Sequence, residues 1–265
     1  MRLCSIASGS SGNCIYIGAK DTHILVDAGI SGKRTRLGLQ ELGVDITDID
    51  GIMVTHEHSD HIGGLGVLAR KYKLPIYATE KTKAAILCAK SVGEIEPELF
   101  RVIHSDESFV VKDMTLNPVK ISHDAVDPVA FRVMSDNKKI GIATDLGNYN
   151  DYIVESFQGM DCLFLEANHD VNMLQVGPYS YALKQRVLGN KGHLSNVMAG
   201  KLLDRLLHDK MKGVILGHLS HENNMPELAY ETVRLELTTG NGGYKNGDFP
   251  IWVANRHELS KVIDV

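Results

Sequence analysis

Residues 54–64 read VTHEHSDHIGG, which places three histidines and two acids in the six positions from His56 to His61. The segments on either side, GIMVT (51–55) and GGLGVLA (63–69), are apolar and core-like, so the cluster does not belong to a run of surface polar residues. In His-x-His the rings are two residues apart, and on extended backbone His56 and His58 leave the chain on one side and can grip one cation. Asp60 and His61 follow where a helix is predicted to begin. Its N-terminal partial positive charge favours an ionised Asp60 and a neutral His61, the form a metal ligand needs. Without cations, so many desolvated acceptors would be short of partners.

Outward from this cluster, runs rich in Ile, Val, Leu and Phe predict strands at 2–7, 13–18, 23–27, 51–55, 75–78, 108–112, 114–121, 129–134, 139–144, 162–165, 213–217 and 250–254. Helical patterns fill gaps near 62–72, 80–92, 149–156, 178–188, 195–209 and 226–239. In the fifth of these, Ser195 is placed as the N-cap and Val197, Leu202, Leu203, Leu206 and Leu207 form a core-facing stripe. Strand after strand ends in a chemically useful residue: HILVD at Asp27, GIMVTH at His56, VKISH at His123, IGIATD at Asp145, CLFLE at Glu166 and GVILGH at His218. Ligand sites gather at the carboxyl ends of strands, so these six groups are expected to converge on one crevice. Two N/O metal sites that share a carboxylate and a water need about seven protein ligands, and His56, His58, Asp60, His61, His123, Asp145 and His218 supply them.

The 265 residues are 43% hydrophobic, enough for a sizeable core, and no break in composition marks a boundary, so one domain over 1–265 is expected. The polar start MRLCSIASGSSGN and the absence of any apolar stretch of roughly 20 residues point to a cytoplasmic protein with no membrane partner. Cys4, Cys14, Cys88 and Cys162 form no C-x-x-C pair and read as small core residues. A formal charge of −5 excludes binding of nucleic acid by bulk electrostatics. Two local basic groups, Lys33, Arg34 and Arg36, and Lys184, Arg186 and Lys191, are open to two readings, substrate-facing patch or solvated charge. No feature selects between a monomer and a homo-oligomer.

The His56, His58, Asp60 and His61 pattern, H-x-H-x-D-H, resembles the signature of the metallo-β-lactamase superfamily, and the resemblance runs from LVDAG (25–29) to ILGHLSHEN (215–223), nearly the whole chain. It implies an α+β fold, a four-layer αββα sandwich of two mixed β-sheets flanked by helices, with the site along one edge. It further implies that His56, His58 and His123 hold a first metal, that Asp60, His61 and His218 hold a second, and that Asp145 bridges them. Asp27 would orient a ligand histidine from behind. Zinc is the first expectation for both ions, and manganese or iron suit similar donors. LFLEANHD (163–170), NKGHLSNVMAGK (190–201) and VILGHLSHEN (214–223) resemble the phosphodiesterase branch that includes tRNase Z. With SIASGSSGNC (5–14) they resemble its bacterial YycJ/WalJ-like group, which implies a DNA exonuclease.

On that resemblance Asp60, His193 and Glu166 are the catalytic expectation: Asp60 steers the attacking water, and Glu166 charges His193 for proton donation to the leaving oxygen. The loop SGSSGN (8–13) is either a tight hairpin turn or a cradle in which Ser8, Ser10 and Asn13 hold a terminal phosphate. The long tRNA-gripping arm of tRNase Z has no counterpart, and position 58 is His where diiron oxygen-reducing relatives have Glu, so tRNA processing and redox chemistry are disfavoured. His221 stands beside His218 and could replace it. Two other functions stay open: a hydrolase of thioesters, lactones or cyclic nucleotides, and a metal-dependent binding or signalling protein without turnover. DNA against RNA and the direction of cleavage are not legible.

Overall fold

A computed structural model describes residues 1–245, 247–248 and 250–265. The first sheet takes β1 (Arg2–Ala7), β2 (Cys14–Gly18), β3 (His23–Val26), β4 (Gly51–Met53), β5 (Ile76–Thr79) and β6 (Phe100–Ile103). The second takes β7 (Phe109–Val111), β8 (Met114–Lys120), β9 (Val129–Ser135), β10 (Lys138–Ala143), β11 (Cys162–Glu166), β12 (Gly213–Gly217) and β13 (Ile251–Val253). A last short strand, β14 (Ile263–Asp264), returns to the first sheet beside β1, giving orders β14-β1-β2-β3-β4-β5-β6 and β13-β12-β11-β10-β9-β8-β7. Each sheet is antiparallel over one half and parallel over the other, from β3 to β6 and from β10 to β13.

Alternation of side chains sorts these strands into layers. Leu3, Ile15, Ile24 and Val26 of the first sheet face Leu116, Phe131, Ile142 and Phe164 of the second in one buried cluster. The other faces, with Leu25 and Ile52 on one sheet and Leu163 and Leu216 on the other, are covered by helices. Leu39 of α1 (Gly32–Glu41) and, beyond the single turn α2 (Ser59–Ile62), Leu68 of α3 (Leu65–Tyr72) and Ile86 of α4 (Glu80–Cys88) cover the first sheet. Phe157 of α5 (Asp151–Phe157) covers the second. After α6 (Val171–Val176) and α7 (Tyr181–Leu188), Leu203 of α8 (Asn196–Leu206) and Val233 of α9 (Pro226–Thr239) complete that layer. The result is the expected αββα sandwich of two mixed sheets. Four pieces escaped the sequence patterns, the six-residue helix α6 being too short to show a period. The helix α1 carries two glycines and β-branched Thr35 in ten residues, which weakens its propensity; β6 and β14 are short edge strands without a clear apolar run.

Three of the four cysteines are core residues as expected, and Cys88 is exposed at the end of α4 instead. Burial pushes the Cys14 and Cys162 thiols up to about 12, and burial also raises Cys4. A disulfide-exchange reagent at pH 8 is therefore expected to modify Cys88 rapidly and the other three only on unfolding; a second fast thiol in the kinetic trace would contradict this packing.

Candidate metal centre

The carboxyl ends of β3, β4, β8, β10, β11 and β12 deliver Asp27, His56, His123, Asp145, Glu166 and His218 to one edge of the sandwich. Three of these sit in left-handed backbone: Asp27 at φ 62°, Asp145 at φ 58° and His218 at φ 56°. That conformation costs a non-glycine residue about 1 kcal/mol or more, and it turns each side chain off its strand and into the crevice. The H-x-H-x-D-H segment is held against it by backbone bonds: Asn13 N–H donates to the Asp60 carbonyl at 2.8 Å, and Ala28 N–H to that of His61 at 2.8 Å. Gly29 makes this approach possible, since a Cβ there would lie 1.7 Å from the Asp60 oxygen.

Every ring but one is pinned from behind through Nδ1. His61 Nδ1–H donates to Asp27 Oδ2 at 2.7 Å, and Asp27 also accepts from the Thr55 amide and hydroxyl, both at 2.8 Å. With its proton given to Asp27, Thr55 Oγ1 accepts from His56 Nδ1–H at 3.0 Å. His123 Nδ1–H donates to the Gly192 carbonyl at 3.0 Å. Glu166 Oε1 accepts from His193 Nδ1 at 2.9 Å and from His218 Nδ1 at 2.8 Å, while Oε2 takes the amides of Leu146 and Leu194 at 3.0 and 2.9 Å. These partners assign the tautomers and leave Nε2 of His56, His61, His123, His193 and His218 facing the crevice. His58 is the exception, its Nδ1 lying 3.3 Å from His123 Nε2.

Ligand atoms of His56, His58 and His123 lie within 4.8 Å of one another; so do those of Asp60, His61 and His218, and those of His56, His61 and Asp145. Asp145 is central, with Oδ2 3.3 Å from His61 Nε2 and Oδ1 3.6 Å from His123 Nε2. Asp60 Oδ2 is 3.3 Å from His218 Nε2. Burial works against charge here, yet His61 and His218 are driven up, His218 to about 10, because Asp145 and the other carboxylates outweigh it. The same two histidines hold Asp60 and Asp145 below the usual carboxylate range despite burial, and His193 with His218 does so for Glu166. His56 goes the other way, lowered by burial and by His61, and its Nε2 is buried with no hydrogen-bond partner. An orphaned imidazole lone pair beside buried carboxylates is what divalent cations satisfy, and this donor set fits them. α2 is a single turn, and without bound metal the carboxylates around His61 raise its affinity for a proton despite burial.

The structure brings the seven expected ligands together, with Asp27 and Glu166 behind them and His193 beside His123 and His218, at ring separations of 5.0 and 5.3 Å. Ser8 and Asn13 turn inward: the His218 amide donates to Ser8 Oγ at 2.7 Å, and Asn13 Nδ2 lies 3.2 Å from His61 Nε2. Ser10 faces the cavity over the cluster, which measures about 210 Å³. His221 pairs with Glu222 at the surface, its side chain 71% exposed, so it is no substitute for His218. The two basic groups separate: Arg186 lines the cavity, paired with Asp124, whereas Arg34 binds the Arg256 carbonyl and Arg36 binds Gln40. Asp124, Thr55 and Tyr179 were not foreseen as site residues, and of the two readings open for Arg186 the cavity-facing one holds. Asp124 alone left a trace, as the acid following His123, and its Oδ1 lies 3.3 Å from His123 Nε2.

Two mixed sheets back to back, with imidazoles and carboxylates gathered at their shared edge, define a metallo-β-lactamase-type hydrolase scaffold. The chain belongs to the β-lactamase superfamily, whose domain model matches residues 22–218. It is 41% identical over 238 residues to exodeoxyribonuclease WalJ of Streptococcus pneumoniae, covering 90% of this chain and 88% of that one. It is 40% identical over 228 residues to exodeoxyribonuclease YycJ of Bacillus anthracis, covering 86% of each. Among solved structures, the metallo-β-lactamase fold protein YhfI of Bacillus subtilis superposes with a TM-score of 0.70 at 18% identity over 99% of both chains. No helix among the described residues is long and apolar enough to cross a membrane.

In chelator-treated protein the folded-state values of His61 and His218 stand above the unfolded value of about 6.5. The stability that His218 adds is complete below that value and lost as the pH rises through about 10, and that of His61 changes in the same sense. The melting temperature of the chelated protein is expected to fall between pH 6.5 and 10 more steeply than that of the metal-loaded protein. Parallel curves in a scanning calorimeter would show that these imidazoles are not clamped by carboxylates.

Proposed function

We propose that the chain is a metal-dependent DNA exonuclease, a single catalytic domain over residues 1–265. The observation that carries this reading is Glu166, which orients two imidazoles at once, His218 in the metal-type cluster and His193 outside it, in a chain whose relatives over nine-tenths of its length are exodeoxyribonucleases. Divalent cations held by His56, His58 and His123, and by Asp60, His61 and His218, with Asp145 between, would lower the pKa of a water and neutralise the phosphate oxygens. Imidazole and carboxylate without thiolate suit zinc first, and manganese or iron next.

The protein's own groups supply the rest. Burial lowers the affinity of His193 for a proton, but Glu166 and Asp145 outweigh it and hold the value above the ordinary one. His193 therefore carries a proton at Nε2, which passes to the leaving oxygen as the P–O bond breaks. Asp60 presents a carboxylate to orient the attacking water. Arg186, fixed by Asp124, places a guanidinium on the cavity wall for a phosphate oxygen. A larger cavity of about 760 Å³ adjoins at His123, and Lys81, Lys120, Lys191 and Tyr149 line it, a suitable bed for the backbone and a base of a single strand.

His193→Ala is expected to lower cleavage of an end-labelled strand by roughly 100-fold while elemental analysis shows unchanged metal content. His58→Ala is expected to lose metal. Full turnover by the first variant removes His193 from the chemistry, and faster hydrolysis of thioesters than of bis-aryl phosphates by the parent protein replaces the phosphodiesterase reading.

A further inference from the structure

One cation beside the cavity has no part in the chemistry above. Arg256 follows β13, where the C-terminal segment crosses back over the loop from Ser8 to Gly12. Its Nη2 donates to the Leu219 carbonyl at 2.8 Å and its Nη1 to Ser10 Oγ at 3.5 Å. Among the described residues no carboxylate pairs with this half-buried guanidinium, and burial pulls its pKa below the ordinary arginine value. A desolvated positive charge without a counter-charge is costly unless something negative visits it.

The surroundings are built to keep the group where it is. Gly9 adopts φ +135°, which favours glycine, and a Cβ there would stand 2.6 Å from Arg256 Nη1, so a larger residue would push the guanidinium from this position. The same loop is locked to the metal-type cluster, because Asn13 Oδ1 accepts the Gly9 amide at 2.9 Å while the Asn13 backbone amide donates to the Asp60 carbonyl, and Ser8 takes the His218 amide. Ser10, the partner of Arg256, lines the cavity together with Asp60, His218 and Tyr179. At about 210 Å³ this cavity admits the end of a strand and not a duplex passing through.

We infer that Arg256 and Ser10 form a subsite for the terminal phosphomonoester of a DNA strand, which anchors chain ends ahead of the cutting centre. The inference rests on the nuclease reading, and it names what that reading leaves open, the feature by which an end is told from an internal link. The planar guanidinium offers a fork of donors that matches a phosphomonoester dianion, and the Ser10 hydroxyl adds one more.

The test uses the metal-loaded full-length protein and oligothymidylates bearing a 5′-phosphate, a 3′-phosphate or hydroxyls at both ends. Affinity is read on phosphorothioate strands that resist cleavage, and kcat/KM on the ordinary ones. One phosphorylated end is expected to bind roughly 10- to 100-fold more tightly than the hydroxyl end, the range for charge-assisted hydrogen bonds. Arg256→Ala is expected to bring that ratio close to one, and Arg256→Lys, which keeps a point charge, to retain part of it. Ser10→Ala, at an exposed hydroxyl, covers the case in which the arginine variant does not fold, and is expected to lower the ratio several-fold. A ratio near one in the parent protein at both ends, or an unchanged ratio in Ser10→Ala or folded Arg256→Ala, overturns the subsite. Cleavage that persists without end preference leaves the nuclease standing and removes the subsite. Absence of cleavage on every strand removes the nuclease, and the affinity ratio then judges the subsite alone.

Discussion

The site depends on protons held at Nδ1. A neutral imidazole has one donor and one acceptor nitrogen, and whichever proton is engaged from behind decides which lone pair looks forward. Asp27 engages His61, Thr55 engages His56, the Gly192 carbonyl engages His123, and Glu166 engages His193 and His218. Remove any of these acceptors and the ring is free to rotate or to change tautomer, so that a ligand ring loses the acceptor it aims at the crevice and His193 loses the aim of its Nε2 proton. Thr55 shows how tightly the chain is drawn: its one hydroxyl proton goes to Asp27, so the same oxygen can only accept from His56, and two ligand rings are set by one side chain.

Holding carboxylates such as Asp27 and Glu166 fully buried is expensive, and the fold meets the cost with geometry. The parallel halves of the two sheets end at the same edge, where Asp27 finds Thr55 and His61 beyond β4, and Glu166 finds Leu146, His193, Leu194 and His218 beyond β10 and β12 and before α8. Glu166 fills four acceptor positions with two rings and two amides. The left-handed residues at the ends of β3, β10 and β12 are part of the same solution, since an ordinary extended residue there would continue the strand and send its side chain to one of the packed layers.

How much of this was legible followed the distance along the chain over which each signal is written. The H-x-H-x-D-H cluster and the alternating or continuous apolar runs are local, and they gave the strands and the histidine and aspartate set, while the sandwich came from the family resemblance that those motifs carry. The strand-end residues were legible as a series because β-strands in such sheets stop at a common edge. Thr55 and Asp124 were not, and Arg186 stayed between two readings, because nothing local distinguishes a threonine that bridges two rings from one that fills a strand, or an arginine paired with an aspartate 62 positions away from a solvated one. Arg256 lies further still, 246 positions from Ser10, and only the return of the C-terminal segment to the first sheet brings the two together.

A net charge of −5 sets the terms on which such a molecule can handle a polyanion. Long-range attraction is absent or repulsive, so affinity must be generated at close quarters, by cations in the crevice and by the few basic groups whose partners hold them toward it. Arg186 is steadied by Asp124 and Arg256 by Leu219 and Ser10, which spares the ordering entropy that a free arginine would lose on binding. A protein arranged in this way gains little from sliding along duplex and most from a strand whose end has entered the cavity. The electrostatics of the whole chain and the local chemistry of the crevice therefore favour the same mode of attack, one unit at a time from a terminus.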